Sequence, residues 1–415
     1  MGSIAAVRIL IVTAGSRGDV APFTGLGQRL QEAGHQVALA AHDAFAGLVR
    51  GCGLEHRPLP GDPRDLVRAR TAAGSDEQVR SGTVRFLEGL GEGIVAAVGQ
   101  AADVVLTALG PAPLSRLAAE ALGLPCLGTY LAPAVPTGEF ALPGLPQSGD
   151  AGPAANLAAG RDLLAAAGSL YEGILPRLRD RLCLPPGPVG GSDGADGVVW
   201  PVCHGFSPLV VPRPADWPSG AEVSGYWWPA RPEDWQPPPG LVDFLAAGPP
   251  PVFFGFGSMA PGQGEQLSQV IADAVTRVGV RAVVQAGWAG LTGAGEQIMA
   301  VGDLPHDWLF PQVAAVVHHA GAGTTGAGLR AGVPAVPVPV LADQPFWAHR
   351  LHGLGVAPEP VYFAKLTAEA LSGALRECLG EPGYRERAAS LARRIADEDG
   401  AAAVLARIER LAASS

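Results

Sequence analysis

The stretch FPQVAAVVHHAGAGTTGAGLRAGVPAVPVPVLADQ, residues 310–344, decides the fold of this chain. Its apolar run 313–317 predicts a buried parallel strand, which ends at two histidines. A turn of small residues, 321–326, leads into a helix-compatible segment, and a second apolar strand then ends in Asp343 and Gln344. This order of strand, glycine-rich turn, helix and strand predicts an α/β fold with a parallel sheet.

The glycine-rich turn is suited to bind phosphate. Free backbone N–H groups and the helix dipole both favour an anion at a helix start. His319 and Thr324 can add side-chain donors, and the acid and amide after the next strand suit sugar hydroxyls. The stretch therefore predicts a site for a diphosphate that carries a polyhydroxyl group. Its predicted residues are His319, Gly321, Gly323, Thr324, Asp343 and Gln344.

A dinucleotide site is the competing interpretation. Gly321, Gly323 and Gly326 form a literal G-x-G-x-x-G, and Asp343 lies about where a dinucleotide fold places its ribose-binding acid. Against this, the motif comes late in the chain, and a dinucleotide pyrophosphate needs no paired histidines. Gln344 also adds a second hydrogen-bonding side chain. An NAD(P)-dependent reductase therefore stays as an alternative.

The same stretch resembles the donor-binding signature of family 1 glycosyltransferases, which have the GT-B fold. HHAGAGTT at 318–325, with GVP and ADQPFW after it, is similar to the branch of sterol glucosyltransferases and bacterial antibiotic glycosyltransferases. GSRGDVAPF at 15–23 resembles the first loop of that branch, and GFGSM at 255–259 resembles the first strand-turn of its second domain. These motifs have compatible spacing across nearly the whole chain.

The resemblance implies an α/β GT-B architecture: two facing, Rossmann-like, doubly wound domains, with a C-terminal helix that crosses back to the first. It implies an inverting, metal-independent transfer of a sugar from a UDP-sugar or dTDP-sugar to a hydrophobic natural-product aglycone, such as a polyketide, macrolide or sterol-like molecule. A catalytically inactive GT-B auxiliary protein is a further alternative. The joint presence of Asp19, His319, Asp343 and Gln344 speaks against it.

Length and composition agree with two folded domains. The chain has 415 residues, of which 48% are hydrophobic and 16% charged, and its net charge of −10 argues against nonspecific nucleic-acid binding. The predicted units are an acceptor domain at 1–226, a linker at 227–250, a nucleotide-sugar domain at 251–400 and a returning helix at 401–415. The alternation of apolar runs and turn residues predicts a series of strands and helices. The strands are at 7–13, 37–41, 104–109, 126–131, 209–211, 223–226, 252–256, 282–285 and 314–318, and the helices at 23–33, 84–102, 114–122, 157–167, 174–182, 366–379 and 384–411 with a break at Gly400.

Cysteine usage and hydropathy indicate a cytoplasmic protein. The five cysteines are scattered and form no C-x-x-C, which fits free thiols in a reducing compartment. We expect neither a signal peptide nor a transmembrane segment, because no uninterrupted apolar run is long enough to cross a bilayer. The expected partners are a nucleotide sugar and an apolar aglycone, and the chain could be a monomer or a homodimer.

Asp19 is the predicted general base. The resemblance implies this role, because plant relatives carry a catalytic histidine in the same loop after the first strand. From the residues alone, capping of the following helix is the favoured role of Asp19, and the resemblance reverses that order. As a base it would need a pKa raised by burial. His42 and Glu139 are the alternative bases or partners of the base.

Further donor and acceptor residues follow from position. Ser258 lies on the first turn of the second half, and Ser16 and Arg17 lie on the facing loop, so all three could reach the phosphates. Trp288 or Trp308 could line the base pocket or could pack in the core, and the resemblance implies that backbone groups near Leu309 contact the base. The loop 133–153 offers an apolar acceptor wall. Its predicted acceptor residues are Glu139, Phe140 and Leu142.

No catalytic metal or cofactor is expected. Asp397-Glu398-Asp399 is a literal D-x-D, but it lies on a helical segment away from the glycine-rich turns, so a solvated helix face is the favoured interpretation. The helix dipole and His319 would take the role of a metal. Ala327 stands where plant enzymes carry a ribose-binding Glu, so the sequence leaves the choice between UDP and dTDP open.

Overall fold

The computed structural model describes residues 6–65, 76–147, 151–187, 200–259, 262–293 and 295–413. These residues form two parallel sheets, one in each half of the chain. The first sheet has the order β3-β2-β1-β4-β5-β6-β7 and the second β10-β9-β8-β11-β12. The strands are β1 Arg8–Val12, β2 Gln36–His42, β3 Glu55–Leu59, β4 Val104–Thr107, β5 Cys126–Tyr130, β6 Val202–His204, β7 Ala221–Val223, β8 Val252–Gly255, β9 Ala282–Gln285, β10 Ile298–Val301, β11 Ala315–His318 and β12 Ala335–Pro337.

Helices cover both faces of each sheet. Those of the first half are α1 Arg17–Glu32, α2 Ala46–Gly51, α3 Asp76–Val98, α4 Ala112–Ala121, α5 Pro153–Gly168 and α6 Leu175–Arg181. Those of the second half are α7 Pro239–Ala246, α8 Gly264–Val278, α9 His306–Leu309, α10 Ala322–Ala331, α11 Gln344–Gly353, α12 Ala368–Gly380, α13 Pro382–Ile395 and α14 Gly400–Ala413. Short 3-10 turns lie at Asp43–Phe45, Phe310–Gln312 and Phe363–Lys365.

Strand β1 shows why the sheets are doubly wound. Successive side chains of a strand point to opposite faces. Ile9 and Ile11 pack in the core beneath α1 and α14, whereas Leu10 and Val12 pack in the core beneath α3 and α4. Because both faces of β1 are buried, the strand reads as one continuous apolar run.

Helix α1 begins six residues earlier than the sequence predicted. The predicted start at residue 23 came from the helical composition of 23–33, and Pro22 before it lacks the N–H that a helix interior uses. The structure places Pro22 inside α1, six residues after the N-cap Ser16. The lost hydrogen bond is offset by burial, since Val20, Phe23 and other residues of this helix pack against the first sheet.

The predicted strand at 209–211 is wrong. Val210 and Val211 lie in a turn, and both donate backbone N–H groups to the Ser207 carbonyl. They are buried in an apolar cluster between the two domains, which explains their hydrophobicity without a sheet. The sequence also missed the short strands β3, β6 and β10, whose three to five residues carry little periodic signal.

The last helix, α14, crosses back onto the first domain. Its residues Ala401, Val404 and Ile408 lie in the same core as β1 and α1. At the crossing, the Trp227 indole N–H donates to the Gly400 carbonyl at 2.9 Å. The domains also meet through aromatic rings, as in the edge-to-face pair Phe206–Trp347 with centroids 5.7 Å apart. No helix in the described ranges is long and apolar enough to span a membrane.

Candidate active site

The turn after β11 separates two histidines with different surroundings. His318 ends the strand fully buried, and its Nδ1 accepts the Ala320 N–H at 3.1 Å. Ala320 has a positive φ of 61°, which turns the chain into Gly321, the N-cap of α10. His318 thus holds the turn, while the next side chain, His319, faces the start of the helix.

The His319 ring lies between two glycine-rich turns. A Cβ on Gly257 would lie 3.1 Å from its Cε1, and a Cβ on Gly321 would lie 2.5 Å from its Nε2. Burial lowers the pKa of His319 to about 4, with the Gly255 backbone acting weakly in the opposite direction. The ring therefore sits uncharged beside the N-terminus of α10, where an anion would be favoured.

Two hydroxyl side chains belong to this part of the cleft. Thr324 is half-buried in the first turn of α10, whereas the next side chain, Thr325, faces the interior. Ser258 is half-buried in the turn after β8, the strand that pairs with β11. The neighbouring ends of these two strands place Ser258 on the same edge of the sheet as His319, at the switch point of the strand order.

Asp343 and Gln344 open helix α11 at the end of the loop after β12. Asp343 is its N-cap, and Oδ2 of Asp343 accepts the Trp347 indole N–H at 2.8 Å. Gln344 is buried, and its Oε1 accepts the N–H groups of Val340 and Leu341 at 2.8 and 3.0 Å. The Gln344 oxygen thus shapes the loop, and the amide NH₂ is the group left to meet a ligand.

Asp19 lies in the first turn of α1. Its Oδ2 accepts hydrogen bonds from the Ser16 N–H at 2.7 Å and from the Ser16 hydroxyl at 3.0 Å. Gly15 has a φ of 139°, and a side chain on it would collide with the Asp19 carboxyl group. Asp19 is not the N-cap residue, which is Ser16. As the third helical residue, however, Asp19 accepts the N-cap N–H in a capping box, so the carboxyl group does take part in capping α1.

The charge of Asp19 in the first domain acts on the carboxyl group of Asp343 in the second domain. Burial raises the pKa of Asp19, and hydrogen bonds from Ser16 oppose that rise. Burial also raises the pKa of Asp343 to about 6, and the negative charge of Asp19 adds to the rise although the Trp347 bond opposes it. A buried carboxylate with a raised pKa, beside a neutral histidine and a helix start, can accept a proton from a hydroxyl group.

The alternative bases have other partners. His42 is buried at the end of β2, with Nδ1 3.0 Å from the Pro60 carbonyl and its ring against Phe86. Glu139 is exposed, and its Oε1 accepts the Ala215 N–H at 2.6 Å. The described hydrogen bonds link neither residue to Asp19.

The D-x-D sequence lies at the domain crossing. Oε1 of Glu398 accepts the Ser207 hydroxyl at 2.6 Å, and Asp399 forms an ion pair with Arg29 at 2.9 Å. Asp399 also accepts the first N–H groups of α14. The prediction of a solvated helix face is therefore wrong, because Glu398 and Asp399 make structural contacts where α14 begins. Within the described ranges, no cluster of three or more His, Cys, Asp or Glu residues could hold a metal ion.

Arg17 reaches across the cleft to a residue that the sequence did not single out. Its Nη1 lies 3.7 Å from Oδ2 of Asp303, in the loop after β10. Gln285, at the end of β9, donates its amide to Oδ1 of Asp303 at 3.1 Å. The signal in the sequence was a glycine and an acid, Gly302-Asp303, directly after the apolar run 298–301.

The two candidate tryptophans differ in their contacts. Trp288 is half-buried in the turn after β9, and the Arg64 guanidinium of the first domain lies 5.5 Å from its ring centroid. Trp308 packs edge-to-face on Trp235 of the linker. The Leu309 side chain is buried in the core, and the Leu309 N–H donates to the carbonyl of Pro305, the N-cap of α9. Of the two rings, Trp288 is the one that faces the first domain across the cleft.

The predicted acceptor residues lie in packed surroundings. Phe140 packs on Phe346 of the second domain with centroids 5.4 Å apart, and the Arg350 guanidinium lies 5.0 Å from its ring centroid. Leu142 is 2% exposed. Phe140 therefore contributes to the contact between the domains, and Leu142 belongs to the interior.

Two family models match the chain. The model described as the glycosyltransferase family 28 N-terminal domain matches residues 9–140. The model described as the C-terminal domain of erythromycin biosynthesis protein CIII-like proteins matches residues 259–411. The first match contains the loop 15–19 ahead of α1, and the second contains the glycine-rich turn 321–326 at the start of α10.

Relatives match over nearly the whole chain. The sterol 3-beta-glucosyltransferase UGT80B1 of Arabidopsis thaliana is 34% identical over 97% of this chain and 68% of its own length. The O-mycaminosyltylonolide 6-deoxyallosyltransferase of Streptomyces fradiae is 36% identical over 95% of both chains. The crystal structure of the glycosyltransferase VinC in complex with dTDP superposes with a TM-score of 0.66 at 21% identity, covering 98% of this chain and all of that one. The chain belongs to the family 1 glycosyltransferases of the GT-B fold, in the branch that holds sterol glucosyltransferases and bacterial antibiotic glycosyltransferases.

Proposed function

We propose that this glycosyltransferase moves a sugar from a nucleoside diphosphate sugar to a hydroxyl group of an apolar acceptor, with inversion and without a catalytic metal. Asp19 takes the proton of the acceptor hydroxyl. The freed oxygen attacks the anomeric carbon, and the bond from that carbon to the diphosphate breaks. The electron pair leaves with the nucleoside diphosphate.

One observation carries this proposal: α1, which holds Asp19 of the first domain, contacts α10, whose N-terminus is the proposed anion site, and the charge of Asp19 acts on Asp343 of the second domain. A base at one wall and an anion site at the other leave room for a reaction between them. Burial supports the role of Asp19, because a carboxylate with a raised pKa is a better proton acceptor than an exposed one.

The diphosphate is proposed to bind at the N-terminus of α10. Backbone N–H groups at Gly321 and Gly323, together with the helix dipole, favour negative charge there. His319, Thr324 and Ser258 stand beside this helix start and can donate to phosphate oxygens. These groups would stabilise the charge that develops on the leaving diphosphate, which is the task of a metal ion in other transferases.

The acceptor is proposed to be a sterol-like or polyketide hydroxyl compound, by analogy with the two relatives. Two exposed apolar side chains support an apolar acceptor. Leu109 follows β4, the strand that pairs with β1 ahead of Asp19, and Leu341 precedes Asp343 in the facing domain. These leucines replace Phe140 and Leu142 as the proposed acceptor wall, because they offer apolar surface to solvent.

The test is a transfer assay with paired donors and acceptors. UDP-glucose and dTDP-glucose are each incubated with a sterol and with a macrolide aglycone, with and without EDTA. We expect release of the nucleoside diphosphate coupled to a glycosylated product whose anomeric configuration is inverted, unchanged by EDTA. Retention of configuration, or loss of turnover with EDTA that added metal restores, would overturn the mechanism.

A further inference from the structure

The strand order indicates where the nucleoside lies, if the proposed function holds. The diphosphate site is at the end of β11, and the sugar residue Asp343 follows β12 on one side of it. On the other side the order continues through β8 and β9 to β10. A nucleotide sugar is a linear molecule with the diphosphate in its middle. Its nucleoside therefore extends over the ends of β9 and β10.

Asp303, which follows β10, has a carboxylate that is fixed by a hydrogen bond and lies where the nucleoside is expected. Oδ1 of Asp303 accepts the Gln285 amide at 3.1 Å, and Gln285 is only 8% exposed, so the pair is anchored on β9. The Asp303 side chain is itself 57% exposed. The Asp303 carboxylate, whose Oδ2 lies near Arg17, is therefore accessible to a further donor.

We propose that Asp303 binds the ribose hydroxyls of the donor, the 2′-hydroxyl among them, so that the site selects a ribonucleoside over a 2′-deoxyribonucleoside diphosphate. A carboxylate suits this task because two neighbouring hydroxyls can donate to its oxygens. The helix position at which plant relatives carry a ribose-binding Glu holds Ala327, which packs against an apolar core. Asp303 supplies the carboxylate from the neighbouring strand end.

Arg17 reduces the electrostatic repulsion between the Asp303 carboxylate and a bound diphosphate. Two anionic groups in one cleft repel each other unless a cation lies between or beside them. Nη1 of Arg17 lies 3.7 Å from Oδ2 of Asp303, and the exposed ends of both side chains remain in the cleft. Arg17 thus offsets the charge of Asp303 and links the first domain to the nucleoside side of the site.

Trp288 completes the surroundings of this subsite. It follows β9, the strand between the diphosphate site and Asp303, and its ring is half-buried. Arg64 of the first domain lies over the ring at 5.5 Å. A flat ring at this position offers a stacking surface for a nucleobase. It lies one strand from the carboxylate, so base and ribose can be held together.

The test compares UDP with 2′-deoxy-UDP by calorimetry on the full chain. A hydrogen bond to a charged group changes affinity by roughly ten- to a hundredfold, so the native protein should favour UDP by about that ratio. Asp303→Ala should bring the ratio close to one, and Asp303→Asn should leave a few-fold preference because an amide oxygen still accepts. The matched control is Asp273→Ala, since Asp273 also accepts a glutamine amide but lies on α8. It should keep the native ratio.

The outcomes separate this inference from the proposed function. If the native protein binds UDP and 2′-deoxy-UDP equally, Asp303 does not bind the 2′-hydroxyl, and the inference is wrong. The transferase proposal is not affected by that result. If both Asp303 variants keep the preference for UDP, another residue binds the 2′-hydroxyl, and the assignment of Asp303 is wrong. If neither nucleotide binds, both the proposed donor site at α10 and this inference are contradicted. Circular dichroism melting of each variant verifies that the compared proteins are folded.

Discussion

Replacing His319 by alanine tests the diphosphate site from the side of the histidine. The ring stands between the turns at Gly257 and Gly321, at the start of α10. Removing it takes away a donor to the phosphates and leaves the helix dipole and backbone N–H groups in place. We therefore expect weaker binding of UDP, with the fold retained.

The structure sets the expected size of this loss. The pKa of His319 is about 4, so holding a proton on the free ring at pH 7 costs roughly 4 kcal/mol. The ring is therefore neutral before ligand binds at pH 7. One hydrogen bond from the ring to a charged phosphate contributes roughly 1.5–3 kcal/mol, so its loss should weaken binding by about ten- to a hundredfold. A bound diphosphate raises the pKa of His319, so the affinity advantage of the native protein over the variant should grow as pH falls from 7 towards 5.

Calorimetric titration of UDP at pH 7 and pH 5.5 gives both quantities. His349→Ala is the matched control, since His349 lies on α11 and contacts Tyr362 instead of the glycine-rich turns. The control should bind UDP as the native protein does. Equal affinity of the native protein and His319→Ala at both pH values would refute the placement of the diphosphate beside His319.

Three further outcomes follow from the structure. Asp343→Ala should weaken binding of an intact nucleotide sugar more than binding of the free nucleotide, and Gln344→Ala should also lower stability because its Oε1 holds the loop; titrations with both ligands and thermal melts check this. Gly15→Ala should cost about 1–3 kcal/mol of unfolding free energy and most of the transfer rate, because its positive φ and its closeness to Asp19 leave no room for a methyl group; urea unfolding and turnover assays measure both. Burial lowers the pKa of His204 to about 4 from an unfolded value near 6.5, so this residue's contribution to stability is complete above pH 6.5 and should fall as pH decreases towards 4, as denaturation at several pH values will show.

The fold was predictable because its strongest signals are local. Buried parallel strands such as β1 and β11 read as continuous apolar runs, and each is followed by a glycine-rich turn. The start of α1 was not predictable, because Pro22 normally ends a helix and only tertiary burial keeps it inside one. Short edge strands such as β10 have too few residues to show a period.

The candidate site divides in the same way. Residues on the glycine-rich turns, such as His319 and Thr324, could be proposed from the sequence because a phosphate site is built from one continuous stretch. Asp303 was missed because its importance depends on Gln285 of the neighbouring strand and Arg17 of the other domain, which are far apart in sequence. Leu142 was chosen for its apolarity, and sequence alone does not separate a pocket wall from a packed core.

The most direct measurement of the central claim is the single-turnover transfer rate of Asp19→Asn with saturating donor. Asparagine keeps the shape and an oxygen that can accept the Ser16 N–H, but it cannot take a proton. The rate should fall by about 10²–10⁴, with donor affinity and melting temperature nearly unchanged. Asp19→Ala should lose the same activity and also about 1 kcal/mol of stability, because it removes the contacts with Ser16. A stable Asp19→Asn protein that transfers sugar at the native rate would contradict the assignment of Asp19 as the general base.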